Sequence, residues 1–101
     1  MAMLHTVNKS PFERNSFDSC LSHAKDGSSV LLIEDGIYAV IKGSQAMSRI
    51  LDAPGVSFYV LGPDLQARGI SQDHVIDGVT VVDYGGFVDL VTRHDSVQSW
   101  L

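Results

Sequence analysis

Short apolar runs alternate with longer stretches of helical spacing along the chain. Four runs, at 4–7, 30–33, 56–61 and 79–82, are bounded by Gly, Pro, Asp or Ser, and three of them are rich in β-branched or aromatic residues. The runs at 30–33 and 79–82 are almost continuously apolar, which is typical of strands buried on both faces of a parallel sheet. The pattern therefore predicts four strands.

The stretch after the first run predicts a helix that has two possible starts. Phe17, Leu21 and Ala24 fall at i, i+4 and i+7, so they form one apolar stripe. One start is a capping box at 10–13, with Ser at the N-cap, Pro at the first helical position and Glu at the third. The other start lies near Ser16, and the sequence leaves both open.

Three further helices complete the alternation. They are predicted near 46–51, 63–68 and 87–91, and the last has Asp83 as its N-cap. The segment 94–96 restarts this helix, which then carries Val97, Trp100 and Leu101. Such an order of strands and helices predicts an α/β sheet of mostly parallel strands, joined by right-handed crossovers.

Length and composition favour one folded domain over residues 1–101. Apolar residues make up 45% and charged residues 19%, a balance that argues against intrinsic disorder. The net charge is −5 and only seven Lys and Arg are spread along the chain, so we expect no direct contact with nucleic acid. The single cysteine excludes an intramolecular disulfide and a cysteine-rich zinc site.

The N-terminal segment carries no targeting signal. It lacks a basic stretch followed by an apolar one, and no apolar stretch approaches the ~20 residues that cross a membrane. We therefore expect a cytoplasmic protein that makes no membrane contact. Met1 and Ala2 are interpreted as a cloning remnant, with Met3 as the natural start.

Cys20 is the main candidate for chemistry. On a helical wheel it lies at the border of the stripe formed by Phe17, with His23 three residues further on as a facing neighbour. A nearby imidazolium or a helix N-terminus favours the reactive thiolate. The alternative is that Cys20 is a small buried hydrophobic residue. A helix that starts near Ser16 brings Cys20 close to its N-terminus, whereas a start at Ser10 does not.

The other polar residues are better explained by structural roles than by catalysis or ligand binding. The four histidines show no metal-binding spacing, and the glycines at 85–86 lack the spacing of a nucleotide-binding loop. Glu34 and Asp35 follow a predicted strand, where they could bind a cation, but a cap or turn explains them better. Asp83 is likewise interpreted as a helix cap. We expect no metal and no cofactor.

Five segments in chain order resemble one family. They are Met-Leu-His-Thr at 3–6 with Ser-Pro at 10–11, Leu-Leu-Ile-Glu-Asp-Gly at 31–36, Tyr-Val-Leu-Gly-Pro-Asp-Leu-Gln-Ala-Arg-Gly at 59–69, Val-Asp-Tyr-Gly-Gly-Phe-Val at 82–88, and His94 with Trp100. Each motif is weak alone. Together, over 3–101 and without large gaps, they resemble the DsrH/TusB family.

The resemblance implies a subunit of a sulfur-relay complex. Members of the family have a three-layer α/β/α fold, here with four to five strands. They join DsrE- and DsrF-like, or TusD- and TusC-like, subunits as a heterohexamer. The complex passes persulfide sulfur between cysteines and on to a DsrC- or TusE-like carrier protein. The resemblance also places the principal acceptor cysteine in the DsrE- or TusD-type subunit, and so outside this chain.

Cys20 indicates the branch of the family. DsrH-type sequences carry a cysteine in the first helix and TusB-type sequences commonly lack it, so the resemblance favours a DsrH-like role in sulfur oxidation. Cys20 is then the expected persulfide carrier, with His23 as a possible neighbour of its thiolate. A thiolate can take sulfane sulfur from a persulfide without a metal or nucleotide.

Three alternatives remain open. The chain could be a TusB-like subunit in the synthesis of 2-thiouridine at the tRNA wobble position, a non-catalytic structural subunit, or an independent ligand-binding domain. A subunit of a complex should expose apolar side chains to its partners. The candidate anchors are Phe12, Tyr38, Tyr84 and Trp100.

Overall fold

A five-stranded parallel sheet forms the centre of the computed structural model, which describes residues 3–13 and 15–100. The strands lie in the order β4-β3-β2-β1-β5, and every neighbouring pair is parallel. This confirms the predicted α/β class and its mostly parallel sheet. The bounds are β1 Met3–Val7, β2 Ser29–Leu32, β3 Ser57–Leu61, β4 Thr80–Val82 and β5 Ser96–Trp100.

Helices connect the strands. Four are α-helical, α1 Ser16–His23, α2 Met47–Leu51, α3 Gly62–Ala67 and α4 Tyr84–Arg93, and two short 3-10 helices span Glu34–Val40 and Gln72–His74. None of the helices in the described part of the chain is long and apolar enough to cross a membrane. Asp83 caps α4 as predicted, because its Oδ1 accepts a hydrogen bond of 2.8 Å from the backbone N–H of Gly86.

The first helix begins at the later of its two predicted starts. Ser10 does not cap it. Its hydroxyl accepts a hydrogen bond from the backbone N–H of Phe12 and its carbonyl accepts one from Glu13, so 10–13 form a turn. The helix then begins at Ser16, after Asn15, and the carbonyl of Asn15 accepts from Ser19.

The segment after α4 corrects one prediction. The helix does not restart at 94–96, because Ser96–Trp100 is the extended strand β5 at the sheet edge beside β1. Two side-chain hydrogen bonds reinforce this pairing. Thr6 Oγ1 donates to Ser99 Oγ at 3.2 Å, and Trp100 Nε1 donates to His5 Nδ1 at 3.0 Å. The partners lie more than 90 positions apart in sequence, so a local pattern does not reveal them.

The sheet separates two hydrophobic clusters of unequal size. The larger joins one face of the strands to α1, the first 3-10 helix, α2 and α3. The smaller joins the other face to α4 and is built around Leu4, Leu31 and Leu90. This division follows from the strand order. Three crossovers run in one direction across the sheet and the fourth returns in the other, so crossovers of one common hand put α4 on the opposite face.

Gly36 lets the first 3-10 helix pack against the end of β1. A Cβ atom added at Gly36 would overlap the carbonyl oxygen of Val7. That oxygen already accepts a hydrogen bond of 3.0 Å from the backbone N–H of Ile33. Position 36 therefore requires glycine, because a Cβ atom does not fit between this backbone and the Val7 carbonyl.

We expect Gly36→Ala to destabilise the protein by about 3 kcal/mol or more, because backbone must move to relieve the overlap. The control is Gly43→Ala. Gly43 has a φ of +79° but free space around it, so that variant should lose only about 1 kcal/mol to backbone strain. Chemical denaturation of both variants measures the difference. Equal losses would contradict the packing argument.

Candidate functional site

Cys20 lies inside the larger hydrophobic cluster. Its side chain is fully buried, as is that of Phe17 on the same helix. Burial raises the pKa of the Cys20 thiol to about 12, because the charged thiolate would lose its hydration. Cys20 is the fifth residue of α1, and dehydration outweighs the help that the nearby helix N-terminus gives to a thiolate. At neutral pH the residue is therefore a thiol.

His23, the predicted neighbour of Cys20, lies at the exposed end of α1. Its ring is exposed, and its Nδ1 lies 2.8 Å from the carbonyl oxygen of Ser19, to which it donates. The ring also lies against Trp100, with centroids 5.3 Å apart. Among the described contacts of His23, no hydrogen bond reaches the thiol of Cys20. The two candidate residues thus share a helix but form no acid–base pair in this conformation.

A buried imidazole beside the same indole is the polar group that sequence reasoning missed. His5 is buried in β1, and its Nδ1 accepts the hydrogen bond from Trp100 Nε1. Indole nitrogen only donates, so Nδ1 carries no proton and His5 is neutral. Burial lowers the pKa of His5, and repulsion from His23 lowers it further. A histidine inside an apolar run was the one signal for it in the sequence.

His94, which carries part of the family resemblance, has a structural position. Its Nδ1 donates to the carbonyl oxygen of Leu90 at 2.6 Å, and its Nε2 lies 2.9 Å from Ser29 Oγ. The ring therefore links the end of α4 to the start of β2. This agrees with the structural role predicted for the histidines.

Two carboxylates at the carboxyl edge of the sheet, those of Asp64 and Asp35, are engaged within the chain. Asp64 Oδ2 accepts a hydrogen bond of 2.6 Å from the backbone N–H of Glu34, which supports the left-handed φ of 49° at Glu34. Asp35 Oδ1 accepts from Nε and Nη2 of Arg68 at 3.2 and 2.9 Å. Within residues 3–13 and 15–100, no three His, Cys, Asp or Glu side chains are grouped to hold a metal ion.

A groove of about 500 Å³ opens at this edge between α3 and α4. Asp83 is the one charged residue among its described lining, and its carboxylate already caps α4. The groove therefore offers a ligand no free charged anchor. Its lining consists of Gly62, Pro63, Gln66, Gln72, Val81, Val82, Asp83 and Gly86.

The enclosed thiol should react slowly. At pH 8 we expect Cys20 in the folded protein to react with a small aromatic disulfide about a thousandfold more slowly than in denaturant, because its pKa of about 12 lies three units above the ordinary 9.0. Stopped-flow absorbance measures both rates. A folded-state rate within about tenfold of the unfolded one would contradict the burial of Cys20.

The buried histidine should make stability depend on pH. The folded state lowers the pKa of His5 below 6.5, so the unfolded chain binds more protons as the pH falls through that value. The contribution of neutral His5 is therefore complete above pH 6.5 and is lost below it, down to the lower folded pKa. The single tryptophan, Trp100, makes fluorescence a direct reporter of the pair.

We expect the free energy of unfolding to fall below pH 6.5, and the Trp100 emission of the folded protein to change at the lower pH at which folded His5 gains a proton. His5→Gln should flatten this slope, because a glutamine side chain can still accept from the indole but does not titrate. His74→Gln, at an exposed position, is the matched control and should keep it. An unchanged slope in His5→Gln would show that another group is responsible.

Comparisons with known proteins agree on one family. A family model described as "DsrH like protein" matches residues 9–97. Three relatives named Protein TusB each align over 98 residues, which is 97% of this chain and 100% of theirs. They are 35% identical in Pectobacterium parmentieri, 37% in Serratia proteamaculans and 33% in Escherichia coli K12.

Solved structures share the fold at lower sequence identity. The ychN protein of E. coli superposes with a TM-score of 0.81 at 22% identity and covers 98% of both chains. Protein MTH1491 of Methanobacterium thermoautotrophicum has a TM-score of 0.73 at 18% identity, over 96% of this chain and 97% of that one. The family model and the full-length relatives together show that this chain belongs to the DsrH/TusB family.

Proposed function

We propose that the protein is a TusB-type subunit of a sulfur-relay complex that serves the synthesis of 2-thiouridine in tRNA. Full-length similarity to proteins named TusB supports this role over sulfur oxidation. The proposed partners are TusD- and TusC-like subunits in a heterohexamer, with a TusE-like protein as the sulfur acceptor, in the cytoplasm. Direct contact with tRNA is not part of the proposal, because the net charge is −5.

Within this complex we assign the chain a structural role. The observation that carries it is the enclosure of Cys20, whose thiol is protonated at neutral pH and fully buried. Sulfur transfer requires a thiolate that can approach another protein's persulfide. The persulfide-bearing cysteine therefore belongs to a TusD- or DsrE-type partner, and this chain contributes the surface that positions it.

The second candidate is that Cys20 itself carries sulfur, as in a DsrH-type complex for sulfur oxidation. It is favoured by the position of α1, which packs against β1 and the edge strand β5. Separation of β5 from this helix would uncover the layer that holds Cys20. The Cys20 thiolate would then attack the sulfane sulfur of a donor persulfide, form the Cys20 persulfide and release the donor thiolate. His23 is the neighbouring imidazole on the helix.

Cys20→Ala distinguishes the two roles. If the chain is structural, complexes that contain the variant should transfer sulfur to the TusE- or DsrC-like carrier within about twofold of the normal rate. The mass of the carrier, which gains one sulfur atom, measures the transfer. Serine in place of the acceptor cysteine of the TusD-like subunit is the control and should abolish transfer. An assembled Cys20→Ala complex that transfers no sulfur would establish Cys20 as a carrier.

Deletion of the gene tests the destination of the sulfur. The TusB-type role requires the deleted strain to lose 2-thiouridine from its tRNA, which nucleoside mass spectrometry detects. A strain that keeps its 2-thiouridine but no longer oxidises sulfur would place the protein in the DsrH-type branch instead.

A further inference from the structure

One face of the sheet is covered by a single helix. Because the last crossover alone returns across the sheet, α4 is the one helix on this face within residues 3–13 and 15–100. Phe87 and Leu90 of α4 point into the smaller cluster, where Leu90 contacts the strands through Leu4 and Leu31. The opposite face has three α-helices and a 3-10 helix against it.

The apolar residues of α4 occupy a wider arc of the helix than the arc that contacts the sheet. At about 100° per residue, Tyr84, Val88 and Val91 fall at i, i+4 and i+7 and form a stripe beside the one that contains Phe87 and Leu90. The exposed fractions are 61% for Tyr84, 61% for Val88 and 40% for Val91. A helix packed only against the sheet would have polar residues at these positions.

Val97 of β5 is a further exposed apolar residue on this face of the sheet. It pairs in register with Leu4, which faces α4, so Val97 lies on the same face of the sheet, and it is 46% exposed. We call Tyr84, Val88, Val91 and Val97 the α4 patch. Exposed apolar groups of this kind mark interaction sites more often than scattered single residues do.

Of the four aromatic residues expected at interfaces, two pack within the chain and two are exposed. Tyr38 and Trp100 pack against the larger cluster and stabilise the chain itself. Phe12 and Tyr84 are exposed, and of these Tyr84 belongs to a continuous apolar stripe.

Charge indicates which occupant fits the α4 patch. Asp83, Asp89 and Asp95 lie along α4 and its two ends, against a single cation, Arg93, whose Nε donates to the carbonyl oxygen of Asp89. Two copies of the chain joined through this face would bring like charges together. A different chain with an apolar patch and a rim of Lys or Arg would pair with them.

We propose that the α4 patch binds another subunit of the relay complex, one that presents an apolar surface bordered by basic side chains. The inference rests on the proposed function and names the surface through which the structural role is exercised. The patch lies on the face opposite α1, so a partner docked there covers the other side of the sheet from Cys20.

The test uses the chain co-expressed with its TusC- and TusD-like subunits. Val88→Arg should weaken association by about tenfold or more, because it buries a cation in an apolar contact. Asp89→Lys should weaken it by a few-fold and reduce its dependence on salt. Leu51→Arg is the matched control. Leu51 has the same 61% exposure on α2, on the opposite face, and its variant should bind normally.

Thermal unfolding of each free variant checks that it folds, and titration calorimetry with the partner subunits measures binding. If Val88→Arg binds the partner subunits as tightly as the unaltered chain does, the assignment of the patch is overturned. A stable homodimer of the free chain that Val88→Arg dissociates would overturn the choice of occupant. Failure of the unaltered chain to bind either subunit would overturn the proposed function itself, which separates that failure from the other two.

Discussion

Right-handed crossovers between parallel strands decide which helix covers which face of the sheet. The strand order β4-β3-β2-β1-β5 requires three crossovers in one direction and a fourth that passes back over the whole sheet. Among residues 3–13 and 15–100, one face therefore receives several short helices and the other receives α4 alone. The Cys20 thiol lies under the several helices of the first face. The exposed apolar stripe of Tyr84, Val88 and Val91 lies on α4, on the other face. The burial of Cys20 and the exposure of the apolar stripe on α4 thus both follow from the one crossover that reverses direction.

The position of Cys20 sets two electrostatic effects against each other. A helix N-terminus stabilises a thiolate, and α1 begins only four residues before Cys20. Transfer into the apolar core removes hydration from the thiolate, which costs more than the helix returns, and the pKa rises to about 12. A residue that would be a nucleophile on an exposed helix is here a packing residue. Under the proposed structural role, the sulfur passes between cysteines of the partner subunits and not through Cys20.

Much of the fold could be predicted from local patterns. The apolar runs gave four strands, and Asp83 before α4 was recognisable as a cap because the cap forms within one turn. The strand β5 could not be recognised, because Ser96–Trp100 contains only two apolar residues and owes its extended form to β1 at the other end of the chain. The His5–Trp100 pair could not be predicted for the same reason, because its two residues lie at opposite ends of the sequence. For the candidate site, the wheel placed Cys20 at the border of the stripe, but only the packing of α1 on the sheet determined its burial.

The pairing of β1 with β5 also matters during synthesis. Met3 pairs with Ser96, so the outer edge of β1 has no partner until β5 has left the ribosome, by which time β1 to β4 are already available to fold. An unpaired parallel edge invites pairing with other chains. The outer edge of β1 therefore stays unpaired while β2, β3 and β4 are synthesised. In the folded protein β5 covers the outer edge of β1 and becomes the edge of the sheet in its place.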